Sequence, residues 1–232
     1  MSREGLLSKL RCPDPHCEGY KVERVGERAV ARLCECLAEC PACKGTGFIQ
    51  VSNEFRAPMK RCYCQDLIRG VQRFNEAGIP ARHAYSTRKP DGPGAFVIGK
   101  NRGLMTAFTA VARYLKNFRP GEENRGLILC GDVGLGKTHL MTAMIRELIF
   151  QHKIGAKFVE FSHLLADLKS GFDKGIGASN LLDPLVQVDV LAIDELGKGR
   201  NTEFEGTVLD ELVSRRYNAA ASILGTTNYL AL

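Results

Sequence analysis

Eight of the nine cysteines fall before residue 65, at Cys12, Cys17, Cys34, Cys36, Cys40, Cys43, Cys62 and Cys64. Clustered CxC and CxxC spacings in a reducing compartment favour thiolate metal ligation over disulfides. Further along, the stretch Gly131, Asp132, Val133, Gly134, Leu135, Gly136, Lys137, Thr138 satisfies GxxxxGK[ST], and His139 follows it. Its glycines let backbone N–H groups wrap a phosphate, Lys137 would reach the β- and γ-phosphates, and the Thr138 hydroxyl would bind Mg²⁺. ATP and Mg²⁺ are the cofactors this pattern calls for. His139 reads as a first-turn helix residue, and Cys130 as a core filler at the end of the preceding strand.

The stretch VDVLAID-EL sets Asp194 and Glu195 at the C-terminal end of a hydrophobic strand, where ligands bind in doubly wound sheets. Asp194 fits the role of orienting the Mg²⁺, and Glu195 that of polarising an attacking water. A later strand, SILGTTN, ends in Thr227 and Asn228, which can orient the water or the γ-phosphate. Lys137, Asp194, Glu195 and Asn228 are therefore the candidate catalytic set.

The elements that must position these groups fall into two kinds. Residues 12–36 and 40–64 align as two copies with a period of 28, each with paired cysteines, a Gly, an aromatic (Tyr20, Phe48), an Arg-Ala pair and a closing CxC. Each unit reads as a β-hairpin bringing its cysteine pairs together, a zinc-ribbon-like plan. Cys12, Cys17, Cys34 and Cys36 would hold one Zn²⁺, and Cys40, Cys43, Cys62 and Cys64 a second. Four thiolates leave no position for water, which argues against zinc catalysis. Rival readings are a compact cluster of Cys34, Cys36, Cys40 and Cys43, an iron–sulfur centre, His16 in place of Cys17, and plain reduced thiols.

After Cys64 a helical pattern gives way to a Pro/Gly-rich connection, IPARHAYSTRKPDGPGAF. Beyond it, 104–118 reads as an amphipathic helix, and 126–130, 156–161, 188–194 and 222–227 as buried parallel strands. The expected organisation is a four-cysteine domain over 1–66, a helical segment and linker over 67–100, and an α/β nucleotide core over 101–232.

Charge adds little. The net +6 lies entirely in residues 1–90, with 16 Lys/Arg against 10 Asp/Glu, and two Zn(Cys)₄ centres would bring that domain to about +2. No signal peptide and no run of about 18 apolar residues is present, so a cytoplasmic protein with no membrane partner is expected.

At GKTHL, IDELG, SRRYN and TTN the chain resembles the AAA+ ATPases of the bacterial helicase-loader group, the DnaC/DnaI type, with IstB-type transposition ATPases as close relatives. The resemblance spans roughly residues 79–232. It implies a P-loop parallel sheet with helices on both faces, and an ATP-driven switch that binds the replicative DNA helicase and deposits it on single-stranded DNA. The front end resembles the zinc-bearing domain with which DnaI-kind loaders dock on the helicase, although two four-cysteine units depart from it. The region 161–187 corresponds to the part of initiator-type AAA+ proteins that contacts single-stranded DNA, where Lys169, Phe172 and Lys174 could serve; a solvated helical hairpin is the alternative.

The family continues past the TTN strand to a fifth strand, an arginine finger acting on a neighbour's nucleotide in a homo-oligomer, and a sensor-2 arginine. Here Asn228 is four residues from the end, and Arg215 and Arg216 match an earlier family pair without replacing the finger. A truncated version of a longer protein, with impaired hydrolysis and the P-loop strand on a sheet edge, is the expectation. Alternatives are a transposition or phage-replication ATPase, or a non-hydrolysing nucleotide-gated zinc adaptor.

Overall fold

Alternation of apolar and charged residues folds the first unit into a hairpin, Tyr20–Val25 (β1) and Arg28–Leu33 (β2), whose Tyr20, Val22, Ala29 and Ala31 turn inward. Gly26, at φ 56°, takes the first position of the two-residue turn, where a positive φ is required. The computed structural model describes Gly5 and residues 12–14, 17–52, 56–91, 94–99, 101–175, 177–198 and 202–229. His16, the rival ligand, and residues 230–232 lie outside the described residues.

The second unit repeats the first. Phe48–Gln50 (β3) pairs with Met59–Arg61 (β4), and Phe48 faces Arg61 as Tyr20 faces Leu33. The Cys34 amide donates to Gly19 O at 3.0 Å, and the Cys62 amide to Gly47 O at 2.8 Å. The sequence period is therefore a period in backbone pairing. Helix α1 (Tyr63–Ala77) begins one residue before Cys64, so the last thiol of the second unit sits in its first turn. Gly78, at φ 78°, ends the helix in the left-handed conformation that glycine adopts without strain.

Helix α2 (Arg102–Asn117) is capped by the Asn101 carboxamide, which accepts from the Leu104 amide at 3.1 Å. Strand β5 (Leu127–Cys130) then leads into α3 (Lys137–Glu147), which continues as a π turn over Leu148–His152. There follow β6 (Ala156–Glu160), α4 (Phe161–Asp173), α5 (Ala178–Gln187), β7 (Val190–Leu196), α6 (Glu203–Asn218) and β8 (Ser222–Thr227). The parallel sheet runs β5-β8-β7-β6.

Strand β7 is buried on both faces, as a parallel strand under helices on both sides must be. Val190 and Ala192 join a core with α2, α3, α1 and the cysteine hairpins, while Leu191 and Ile193 join α4, α5 and α6 on the other face. The P-loop strand β5 lies at the sheet edge among the described residues. Cys130 is exposed rather than buried, a correction to the core role expected for it. On this edge strand Leu129 faces the core, while its neighbours Ile128 and Cys130, on the opposite face, have no covering layer among the described residues.

The front end shares the core of the nucleotide fold. Asn75 of α1 accepts from the Ala31 amide at 2.7 Å and donates to Ala31 O at 3.1 Å, satisfying both backbone groups of that β2 residue. Tyr20 stacks flat on Phe150 of the π turn, with centroids 3.8 Å apart. The Arg146 Nε donates to the Tyr20 hydroxyl at 3.0 Å, and that hydroxyl donates to Glu18. Gly70 of α1 is needed there, because a Cβ on it would lie 2.7 Å from the Phe150 ring.

Of the arginine pair, Arg216 is fully buried, and its guanidinium donates to the carbonyls of Leu185, Val186, Val188, Asp189 and Ser222. Burial pulls it down to about 10. Arg215 pairs with Asp183 at 2.6 Å. Arg216 thus ties the end of α5 to the starts of β7 and β8.

Candidate nucleotide and metal sites

The glycine-rich loop between β5 and α3 follows from its backbone requirements. Gly131, Gly134 and Gly136 take φ values of 145°, 84° and 80°, which a side chain would strain, and Gly136 is the residue from which α3 starts. Lys137 Nζ donates to Gly131 O at 2.7 Å, Asp132 O at 2.8 Å and Asn228 Oδ1 at 2.9 Å. The β5–β8 pairing, Cys130 beside Thr227, brings Asn228 to the loop.

The carboxylates sit where β7 ends. Asp194 is buried, and it accepts from the Thr138 hydroxyl at 2.9 Å and from the Thr226 hydroxyl. Burial raises its pKa, the two hydroxyl bonds work against that, and Glu195 and Glu160 add to the rise. A divalent cation placed there would favour the ionised form. Glu195 has φ 57°, and the β7–β8 register shifts between Ile193 and Leu196, an irregularity that re-aims the side chain after Asp194. Its amide donates to Thr226 Oγ1 at 3.0 Å, and its carboxylate pairs with Lys198 at 2.6 Å.

These groups border one cleft of about 880 Å³, lined by Val133, Gly134, Gly136, Lys137, Thr138, His139, Asp194, Glu195, Thr226 and Asn228. His139 lies in the first turn of α3, 5.4 Å from the Phe96 ring, with Nε2 3.4 Å from Thr87 O. Burial pushes nearby His83 down to about 4, with the positive charges of Arg82 and His139 contributing. Sequence reasoning missed Thr226, whose hydroxyl serves both carboxylate residues; its place at the end of a strand beside Asn228 was the available signal. It also missed Lys198, the ion-pair partner of Glu195, and Glu27, Arg28, Pro80 and Arg82, which line the cleft. A triphosphate with Mg²⁺ fits this donor set: glycine-loop amides, one ammonium, one hydroxyl and one buried carboxylate.

The eight thiols form two groups, Cys12/Cys17/Cys34/Cys36 and Cys40/Cys43/Cys62/Cys64, and within each all sulfurs lie within 4.8 Å of one another. Sulfur separations are 3.8 Å for Cys12–Cys34, 3.6 Å for Cys17–Cys36, 3.7 Å for Cys40–Cys62 and 3.6 Å for Cys43–Cys64. A Zn–S bond of about 2.3 Å gives a tetrahedron edge of about 3.8 Å, so both groups have the dimensions of a Zn²⁺ site. The compact four-cysteine alternative is set aside, because Cys34 and Cys36 group with Cys12 and Cys17 while Cys40 and Cys43 group with Cys62 and Cys64.

Amides support the sulfurs: Gly19 N donates to Cys17 Sγ and Gly47 N to Cys43 Sγ, each at 3.3 Å. Burial raises the Cys43 thiol, but the Gly47 amide and the sulfurs of Cys64 and Cys40 outweigh it and bring it down to about 7. Cys36 and Cys64 are pushed up, first by burial and then by neighbouring sulfurs. Four close thiols cannot all ionise unaided, and a divalent cation removes that conflict.

Of the proposed DNA-contacting residues, Lys169 lies over the Phe204 ring at 5.3 Å, and Phe172 meets the same ring edge-on at 6.2 Å while staying half exposed. No helix among the described residues is long and apolar enough to cross a membrane.

A four-stranded parallel sheet between helical layers, with a P-loop at one strand and a buried Asp at the end of another, defines a P-loop nucleotide-binding domain of the AAA+ kind. The chain belongs to the IstB-like ATP-binding protein family, whose sequence profile matches residues 110–231. It is 29% identical over 115 residues to the replicative helicase loader DnaC of Escherichia coli K12, covering 49% of this chain and 46% of that protein. It is 30% identical over 126 residues to the uncharacterized protein YqaM of Bacillus subtilis, covering 51% and 39%. The matched segment thus spans less than half the length of these relatives. Among solved structures, the DnaC helicase loader superposes with a TM-score of 0.56 at 28% identity, covering 65% of this chain and 81% of that one. DnaI gives 0.52 at 25% identity, with 58% and 70% covered.

Proposed function

We propose that this chain is a Mg²⁺-dependent ATPase switch of the replicative helicase-loader kind, its nucleotide cycle coupled to engagement of the helicase and of single-stranded DNA. The observation that carries the reading is the single cleft in which the P-loop, Asp194, Glu195 and Asn228 converge, on a chain similar to DnaC over that same region. Lys137 neutralises charge on the β- and γ-phosphates. The Thr138 hydroxyl and the Asp194 carboxylate hold Mg²⁺, which when bound offsets the charge that builds up on the phosphate oxygens. Glu195 draws a proton from the attacking water, and Asn228 orients that water against the γ-phosphate. The two four-cysteine units hold Zn²⁺ structurally and dock on the partner.

The test is hydrolysis by the purified chain, with Lys137→Ala and Glu195→Gln beside it, and ATP-sensitive capture of a replicative helicase from the same source. Turnover that depends on Glu195, together with capture, supports the reading. Nucleotide binding without turnover would favour a nucleotide-gated adaptor, and the loader role is abandoned if no helicase binds in any nucleotide state. A transposition ATPase is the second reading, favoured by the family profile that matches residues 110–231. Stimulation of turnover by a transposase rather than a helicase would select it.

A further inference from the structure

The turn of the first cysteine hairpin reaches the nucleotide cleft. Glu27 and Arg28, at the tip between β1 and β2, line the same cavity as Arg82, Lys137 and Asp194. The tip is stitched in place: the Ala29 amide donates to Ile79 O at 2.8 Å and the Ala81 amide to Glu27 O at 2.9 Å, so Arg28 lies across from Pro80 as in an antiparallel sheet. Arg28 Nη1 passes so close over Gly78 that a Cβ there would lie 2.5 Å away.

Among the described residues, the Arg28 and Arg82 side chains have neither an ion-pair partner nor a hydrogen-bond partner, although carboxylates line the same cleft. Two unpaired guanidinium groups lining the cleft that also holds the phosphate-binding loop attract an anionic ligand. At the other end of the hairpin stand the thiols of the first unit, Cys17 just before β1 and Cys34 directly after β2. Six-residue strands separate the two ends by about 20 Å.

We propose that Arg28 is a nucleotide-binding residue contributed by the first four-cysteine unit, so that occupancy of the Cys12/Cys17/Cys34/Cys36 site and occupancy of the cleft are linked. The proposal rests on the nucleotide reading given above. A nucleotide held by Arg28 adds to the hydrogen bonds that hold the hairpin tip, and a more firmly held tip keeps β1 and β2 paired. Their pairing holds Cys17 and Cys34 in reach of one metal ion. Linkage of this sort is reciprocal: metal in the first site strengthens nucleotide binding by the factor with which nucleotide strengthens metal binding. Among the described residues none between Cys40 and Cys62 lines the cleft, so the second metal is placed outside this coupling.

Two measurements on the full chain test it. A fluorescent ATP analogue is titrated into the zinc-loaded parent, Arg28→Ala, Lys137→Ala and, as a distant control, Phe48→Ala. Arg28→Ala is expected to bind about tenfold more weakly, Phe48→Ala like the parent, and Lys137→Ala about 100-fold more weakly. Zinc release to a chromogenic chelator is then followed with and without the analogue. In the parent, nucleotide slows release of one of the two ions several-fold; in Arg28→Ala that difference disappears while both ions are retained beforehand. Equal affinity in parent and Arg28→Ala, or release of both ions indifferent to nucleotide, overturns the proposal while leaving the cleft assignment standing. A parent that binds no nucleotide overturns both.

Discussion

Lys137 Nζ donates to Asn228 Oδ1 at 2.9 Å, joining the start of α3 to the end of β8 across 91 positions of sequence. The ammonium is thereby aimed by a side chain as well as by two loop carbonyls. Asn228→Ala leaves Lys137 its carbonyl partners, so nucleotide affinity should change less than about threefold while turnover falls about tenfold or more. Lys137→Ala should weaken binding itself about 100-fold. Equilibrium nucleotide binding alongside single-turnover hydrolysis separates the two; if Asn228→Ala lowers affinity as much as Lys137→Ala, the positioning role fails.

Asp194 is a carboxylate kept in a poor place for charge. Its folded form holds a proton more readily than an ordinary carboxyl, so above the carboxylate range its ionisation costs stability. Asp194→Asn keeps an oxygen for Thr138 and Thr226 and drops the charge. The metal-free, nucleotide-free variant should be more stable than the parent at pH 7, yet lose Mg²⁺-dependent nucleotide affinity. Urea denaturation read by circular dichroism gives the first quantity; a variant less stable than the parent would contradict the account.

His83 contributes to the acid side of the stability curve. Burial holds it near 4 in the folded chain, whereas the unfolded chain protonates it near 6.5. Between these values the unfolded state binds more protons, so stability is complete above about 6.5 and declines as pH falls toward 4. His83→Gln removes that contribution and should flatten the decline between pH 6.5 and 5. Denaturation midpoints of both proteins across this interval decide it, since metal loss on acidification affects them alike; parallel curves would rule it out.

The adjacent arginines should behave oppositely. Arg216 spends its guanidinium on five carbonyls, those of Leu185 and Ser222 in buried bonds, so Arg216→Ala strands them and should cost about 3–5 kcal/mol. Arg215 makes a half-exposed pair with Asp183, and Arg215→Ala should destabilise the chain far less than Arg216→Ala. A reversed order in thermal denaturation would show that the pair is misread.

The chemistry-bearing stretches were legible because their geometry is local. Glycine spacing fixes the phosphate loop, and a strand ending in Asp-Glu fixes the carboxylates to within one turn. The cysteine pairing was legible from the repeat, since a period of 28 allows only like positions to play like parts. Cys130 was misplaced because alternation along a strand does not tell which face is left uncovered at an edge. The hairpin tip in the cleft could not be read at all: Ala29 and Ile79 meet through a contact 50 residues apart, to which neither repeat nor helical period points. Glu195 was placed correctly along the chain, but its left-handed backbone follows from an irregular register with β8.

The π turn over Leu148–His152 acts as a phase adjuster between two machines on one shaft. The start of α3 is locked in phase with the sheet by the phosphate loop, while its far end must present Phe150 to the Tyr20 ring and to Gly70. Each α-helical residue advances the azimuth by roughly 100°, so deleting one residue within the turn would swing Phe150 off that face. The nucleotide loop and the hairpins are thus each tuned to their own contacts, and this short over-wide turn reconciles their angles.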